Sequence, residues 1–219
     1  MRVLGLVSSG RKDGNTNTLV DTILEGAKSK GHVTKKVFLA DFKIHPIGDC
    51  ATCREAGACV IDDDFDKVMN EALEADCIIF GTPVYWWGPS AQLKTFMDRW
   101  VCRATFDKNG SSMSKMLGKK YVLAVPHQNK QLSATRLLFA MMEDSLDFLQ
   151  MVCLSKIQTV AEGRNEASND QAALRHAFEL GARMTEVESM KKPTGSVTFN
   201  FANPEQVAEV STFKWSQPT

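Results

Sequence analysis

The stretch Cys77-Ile78-Ile79-Phe80-Gly81-Thr82-Pro83-Val84-Tyr85-Trp86-Trp87-Gly88-Pro89-Ser90-Ala91 decides the fold. Its first four residues are an apolar run stopped by Gly-Thr-Pro, which reads as a short strand buried on both faces. Helical spacing begins at Ser90 and predicts a helix over 90–102. The same alternation recurs on either side. Upstream, residues 1–7 predict a strand closed by Ser8-Ser9-Gly10. A helix from Thr16 carries Leu19, Ile23, Leu24 and Ala27 and ends at Gly31. A second strand follows over 33–39, and a helix over 65–75 has Val68, Met69, Ala72 and Leu73 on one face. Downstream come strands over 121–125 and 157–160, with helices over 133–149 and about 169–188. Strands separated by helices predict a parallel sheet covered on both faces. Five such units are too few for the usual eight-stranded barrel. The expectation is an α/β, flavodoxin-like, doubly wound five-stranded parallel sheet of order 2-1-3-4-5, with a C-terminal extension.

The 219 residues carry 26 Lys and Arg against 26 Asp and Glu, so the formal net charge is zero. With 43% hydrophobic and 24% charged residues, the composition is that of a globular chain and excludes a disordered one. The missing basic excess weighs against nucleic acid as a partner. No apolar run approaches the roughly 18 residues of a membrane span. The apolar start gives way at Ser8, too early for a signal peptide, which predicts a cytoplasmic protein. Residues 1–188 form one expected domain. Lys191-Lys192-Pro193-Thr194-Gly195 then reads as a linker, and the extension over 189–219 carries Val197, Phe199, Phe201, Val207, Val210, Phe213 and Trp215. These side chains need an apolar surface. A neighbouring subunit supplies one if the extension is an oligomerisation arm of a homodimer or homotetramer; folding back on its own domain is the alternative.

In open α/β sheets ligands bind beyond the carboxyl ends of the strands, where the strand order reverses. For this order the point lies between strands 1 and 3. The loop after strand 1 is Ser8-Ser9-Gly10-Arg11-Lys12-Asp13-Gly14-Asn15-Thr16-Asn17-Thr18. Its glycines, short hydroxyl and amide side chains and helix N-terminus suit an anion, as they also suit an ordinary capped turn. It matches neither the nucleotide-triphosphate loop nor the dinucleotide fingerprint, so a phosphate monoester fits best. The loop after strand 3 sets Tyr85, Trp86 and Trp87 between two Gly/Pro turns, a poor way to build a core and a good way to hold a flat heteroaromatic. Phosphate cradle and aromatic loop at one switch point read together as a site for flavin mononucleotide (FMN).

These residues carry a resemblance. The Ser9/Arg11/Gly14-Asn15-Thr16 loop, the segment from Cys50 to Cys59 running into Val60-Ile61-Asp62-Asp63-Asp64, Gly81-Thr82-Pro83-Val84-Tyr85, Ser90-Ala91-Gln92-Leu93-Lys94 and Phe96-Met97-Asp98-Arg99 resemble the flavodoxin-fold NAD(P)H-dependent FMN reductases, nearest the iron–sulfur flavoprotein branch. The resemblance spans about residues 1–188. It implies bound FMN, NAD(P)H as electron donor and a small-molecule acceptor such as free flavin or a quinone. Ser9, Arg11, Asn15, Thr16 and Asn17 resemble phosphate ligands, and Pro83, Val84, Tyr85, Trp86 and Trp87 the loop lining the isoalloxazine. Lys94, Asp98 and Arg99 fit a structural role anchoring the following helix. The loop after strand 4, Val125-Pro126-His127-Gln128-Asn129-Lys130, departs from the family's Gly-rich form. His127 there is positioned to polarise flavin or acceptor, although capping or exposed histidines are commoner in loops. No side-chain acid or base is obligatory for hydride transfer through a flavin, so the catalytic residues are left open.

Cys50, Cys53 and Cys59 form C-x2-C-x5-C, while Cys77, Cys102 and Cys153 lie scattered in apolar surroundings and read as small buried hydrophobes. In the iron–sulfur flavoproteins a four-cysteine segment of similar form holds a [4Fe–4S] cluster. Here the first of the four positions is Ile47, which cannot ligate iron; Asp49, His45 or a partner subunit would have to replace it. Zinc meets the same deficit. The cluster is therefore not favoured over free thiols. An electron carrier, flavodoxin-like or of the iron–sulfur flavoprotein kind and without its own NAD(P)H activity, is the alternative function.

Overall fold

The computed structural model describes residues 1–48, 60–100, 104–106 and 112–186. In chain order the elements are β1 (Arg2–Val7), α1 (Asn15–Ser29), β2 (Val33–Phe38), α2 (Phe65–Glu74), β3 (Cys77–Gly81), α3 (Ala91–Asp98), β4 (Ala104–Phe106), β5 (Ser112–Ser114), β6 (Lys120–His127), α4 (Arg136–Phe148), β7 (Val152–Val160) and α5 (Gln171–Ala182). The sheet is five-stranded in order β2-β1-β3-β6-β7, and every pairing in it is parallel. This is the doubly wound flavodoxin-like architecture that the sequence predicts.

Side-chain alternation along the strands builds two cores. Leu4, Leu6, Ile78, Phe80, Leu123 and Val125 face α2, α3 and α4, packing on Val68, Phe96 and Leu138. Val3, Val7, Ile79 and Val122 face the other way, onto Leu19, Ile23 and Leu180 of α1 and α5. Those two helices meet backbone to backbone. A Cβ on Gly26 would sit 2.1 Å from the Phe178 carbonyl oxygen, and one on Gly181 would sit 2.0 Å from that of Ile23. Only glycine allows this approach, which brings the second half of α1 against α5.

Element ends depart from the periodic pattern for local reasons. The helix predicted over 90–102 is α-helical to Asp98 and tightens to a 3-10 turn at Arg99 and Trp100, and the predicted end at 102 lies outside the described residues. The helix predicted from 133 begins at Arg136 after a 3-10 turn over Leu132–Thr135. The last helix starts at Gln171, where the Asp170 carboxylate accepts from Ala173 N. β7 begins at Val152 rather than 157. Its first half alternates with Ser155 and Lys156 at the sheet edge, and the register slips beside Tyr121, so no continuous apolar run marks it. The antiparallel pair β4 and β5 is three residues a side and was below the reach of periodicity. Cys77 is buried, Cys153 is half-buried, and Cys102 lies outside the described residues.

Candidate functional site

The carboxyl ends of β1, β3 and β6 meet where the strand order reverses, and hydrogen bonds lock the loops above them. Ser8 donates from N and Oγ to the Gly81 carbonyl at 2.9 and 2.8 Å. Thr82 N donates to Ala124 O at 3.1 Å, and buried Thr82 Oγ1 accepts from Ser90 N at 2.9 Å. Sequence reading passed over Thr82; its place between an aromatic loop and a Ser-capped helix was the available signal. Gly81 lets α1 close in, since a Cβ there would lie 2.4 Å from Val20 and 3.0 Å from the Thr16 methyl. Thr16 thus stands next to the start of the aromatic loop.

At the end of β1, Ser9 is buried and its Oγ accepts from Arg11 N at 3.2 Å, curling the loop. Gly14 caps α1 without a side-chain hydrogen bond, and the first turn carries no acidic residue. The N–H groups of that turn are therefore open to an anion, with the buried Thr16 among them and exposed Arg11 nearby. Asp13, the local acid, pairs with Arg164 at 2.7 Å. The hydrogen bond from Arg164 holds its carboxyl below the ordinary value, against a smaller upward effect of desolvation.

Two of the expected phosphate ligands have other partners. Asn15 donates from Nδ2 to Gly163 O at 2.8 Å and accepts at Oδ1 from Ala167 N at 3.0 Å, bolting the loop after β7 to α1. Asn17 donates to Asp21 at 2.8 Å and accepts from Lys36 at 2.9 Å. Ser9, Arg11 and Thr16 are the side chains left facing the loop's interior or solvent.

The aromatic loop is a two-residue turn. Tyr85 and Gly88 exchange N–H···O bonds of 2.9 Å, and Trp86 and Trp87 between them have φ of 49° and 60°. Positive φ at both central residues makes this a type I′ turn, normally the place of Asn and Gly. Two bulky residues there store backbone strain of about 1–3 kcal/mol each, a device found at functional sites. Trp86 is 91% exposed and Trp87 51%.

A cleft of about 360 Å³ opens beside this turn, lined by Val84, Trp86 and Trp87 from one loop and by His127, Gln128, Asn129 and Ala134 from the other. Pro83 and Tyr85 flank it without lining it. Among the expected residues, Val84, Trp86, Trp87 and His127 come together here. His127 is neither exposed nor a helix cap: it is 4% exposed at the end of β6. Gln128, Asn129 and Ala134 were not singled out, because a polar loop gives no sign of which members face inward.

Arg99 and Asp63 form a buried ion pair of 2.5 Å, with the guanidinium 4.3 Å above the Phe65 ring. Asp63 also accepts from His45 N at 2.8 Å and Phe65 N at 3.0 Å, and Arg99 donates to His45 O at 3.2 Å. Desolvation pushes the Asp63 carboxyl up, but Arg99 and the two backbone donors outweigh it and hold it below its ordinary value. Lys94 pairs with Asp98 one turn apart at 2.5 Å. Of the three residues expected to anchor this helix, Arg99 ties its end to Asp63 and His45, while Lys94 and Asp98 pair with each other on its exposed side. Cys50, Cys53, Cys59 and Asp49 lie outside the described residues, and no His/Cys/Asp/Glu group suited to a metal ion occurs among the described ones. Ile47 is 39% exposed.

The open anion-receptive turn, the aromatic cleft and the shielded imidazole suit a phosphate-bearing planar ring, so the residues present fit FMN. A doubly wound sheet with such a site defines a class of flavin-type α/β proteins. The family model for NADPH-dependent FMN reductases matches residues 1–166, and the chain belongs to that family. An iron–sulfur flavoprotein of Methanocaldococcus jannaschii is 44% identical over 99 residues, 45% of this chain and 51% of that protein. A Bacillus subtilis protein, named as an NAD(P)H-dependent FMN-containing oxidoreductase, is 28% identical over 139 residues, 63% of this chain and 74% of its own. The chain spans about half the length of the iron–sulfur flavoproteins it matches. Among solved structures, an NAD(P)H:quinone oxidoreductase from Methanothermobacter marburgensis has the same fold, with a TM-score of 0.67 at 17% identity, covering 86% of this chain and 98% of that one.

Proposed function

We propose that this protein is an FMN-dependent oxidoreductase that takes electrons from NAD(P)H and passes them to a small acceptor such as free flavin or a quinone. The observation that carries the reading is the meeting of an uncapped α1 N-terminus with a strained aromatic turn at the sheet's switch point. When bound, FMN supplies hydride acceptance and two-electron storage. The chain's own residues bind and orient. Ser9, Thr16, Arg11 and the first-turn N–H groups of α1 receive the phosphate, while Asn15 and Asn17 keep that turn in shape. Trp86 and Trp87 give stacking surface, Val84 and Ala134 exclude water, and His127 borders the ring. The exposed mouth of the cleft leaves room for nicotinamide and acceptor to use the site in turn.

A second reading, an iron–sulfur flavoprotein electron carrier, is favoured by the 44% identity to a protein of that name and by the spacing of Cys50, Cys53 and Cys59. Ile47 in the place of the fourth cysteine weighs against a bound cluster, and the three thiols are read as free. The deciding experiment is the visible spectrum of anaerobically purified protein with NADH or NADPH, alongside iron and sulfide assays. Flavin bands that bleach with reduced nicotinamide, without stoichiometric iron, are the expected result. Flavin that stays oxidised supports the carrier. About four iron and four sulfide per chain overturn the preference for free thiols.

A further inference from the structure

β7 lies at the edge of the sheet, pairing with β6 and with no other strand among the described residues. Beyond the register slip at Tyr121, Ser155 to Val160 pair with Val122 to His127 without a break. Ala161 N donates to His127 O at 2.9 Å, which fixes the alternation along the strand. Ile157 and Thr159 turn their N–H and C=O groups to β6, and Lys156, Gln158 and Val160 turn theirs to the open edge. Such an edge is a template for pairing, which chains blunt with charge, proline or very short strands. Here the candidate guards are turned away. Lys156 pairs with Glu143 on α4 at 2.8 Å and lies 5.6 Å from the Phe139 ring centre, while Gln158 accepts from Thr135 at 2.5 Å. No residue of β7 is exposed, whereas β2 at the other edge exposes Val33, Lys35 and Lys36. β7 is thus covered on both faces and bare only along its rim.

The sequence beyond the described residues holds a segment of matching length. Ser196-Val197-Thr198-Phe199-Asn200-Phe201 alternates polar residues with valine and phenylalanine, the pattern of a strand with one covered face, and Ala202-Asn203-Pro204 ends it. We propose that residues 196–201 of a second copy add a sixth strand to β7, along the open backbone groups of Lys156, Gln158 and Val160. Handedness points to a second copy rather than to the chain itself. The steps from β2 to β3, β3 to β6 and β6 to β7 all run one way across the sheet, over α2, α3 and α4 on one face. The step from β1 to β2 runs the other way over α1 on the opposite face, so these crossovers share one hand. α5 lies on the α1 face. A direct return of the same chain to the outer edge of β7 would make a parallel crossover of the opposite hand, which folds almost never contain. Exchange between two copies carries no such restriction, and residues 187–195 can span about 30 Å. In such strand addition the main-chain hydrogen bonds supply affinity and the alternate side chains supply specificity.

The test is hydrogen exchange, read residue by residue on the full chain. The amides of Lys156, Gln158 and Val160 should exchange about tenfold or more slowly than free peptide, as those of Ile157 and Thr159 do within the sheet. The double variant Thr198→Pro with Phe199→Pro blocks the added strand. Alternate residues face the partner strand, so one of the two prolines falls on the pairing side. This variant should lose protection at the three outer amides and keep it at Ile157 and Thr159, which also reports that the domain is folded. Outer amides that exchange freely in wild type, or that stay slow in the variant, overturn the proposal. A cross-link identifies the occupant. In the full chain carrying Phe199→benzoylphenylalanine, irradiation should give a species of twice the chain's mass, with the new bond on β7 or on the α4 and α5 residues flanking its edge. A bond to that region within a single chain assigns the strand to its own copy, and a bond elsewhere removes the segment from β7; either result overturns the proposal.

Discussion

Trp86 and Trp87 show at the scale of single residues how this chain trades stability for a site. Both sit at positive φ in a turn made for Asn and Gly, with ring centroids 6.2 Å apart. Replacing them by Trp86→Asn with Trp87→Gly relieves the strain. The flavin-free double variant should melt several degrees higher, since each kcal/mol is worth about 2–4 °C in a chain of this size. The same variant should lose FMN affinity, because its stacking surface is gone. A double variant that binds as well as wild type would remove the rings from the site. Arg11→Ala and Thr16→Val should each weaken FMN binding by about 1.5–3 kcal/mol, measured by titration of flavin fluorescence, as fits loss of a hydrogen bond to a charged group. The loops after β1 and β3 stood out from composition alone: hydroxyls, glycines and adjacent aromatics are unusual where a strand hands over to a helix. The partners of Asn15 were not, because Gly163 and Ala167 lie 148 and 152 residues away in sequence. Short-range patterns do not say which amide faces a ligand and which faces a distant loop.

Between residue and whole stands the element, and the Arg99–Asp63 pair illustrates what periodicity misses there. It ties the end of α3 to 43–45 and 63–65, where Lys43 and Asp64 also exchange bonds of 2.8 and 2.9 Å. A buried pair contributes little net stability over an apolar substitute, yet removing one partner strands the other charge. Arg99→Met should therefore cost about 3–5 kcal/mol in urea unfolding at neutral pH. The sign of the pH effect follows from Asp63, whose carboxyl is held below its ordinary value in the fold. Its contribution is complete above the unfolded carboxyl pKa of about 4 and drains away as pH falls through the lower folded value. The stability gap between wild type and Asp63→Asn should accordingly narrow below about pH 4; a gap constant with pH would deny the pair its role. Strand order and helix identity were legible because β1, β3 and β6 are apolar on both faces. The start of β7 was not, because an edge strand with Ser155 and Lys156 hides its pattern, and the structural role read for Arg99 came without its partner, since Asp63 lies 36 residues away in sequence.

For the whole molecule, the unresolved demand is apolar surface. Trp86 is almost fully exposed, Tyr85 and Trp87 more than half, and Leu137 stands 50% exposed on the helix that follows the other cleft loop. Covering one indole removes roughly 150–250 Å² from water, worth roughly 4–6 kcal/mol before the cost of ordering. A planar ring lying in the cleft covers one face of such a side chain and leaves the rest wet. A chain with zero net charge has no electrostatic barrier to meeting its own copy. The apolar residues between Val197 and Trp215 need a surface of the same kind. We therefore propose a homodimer or homotetramer with the cleft at or near the subunit boundary and the segment after residue 188 as its arm. Light scattering on the full chain should give a multiple of 24.3 kDa. A chain cut after Met190 should shift toward the monomer and bind FMN more weakly, because the cleft mouth loses its cover. If the cut chain keeps both its mass multiple and its flavin affinity, the arm plays no part in assembly and the aromatic mouth is closed by something other than a second copy.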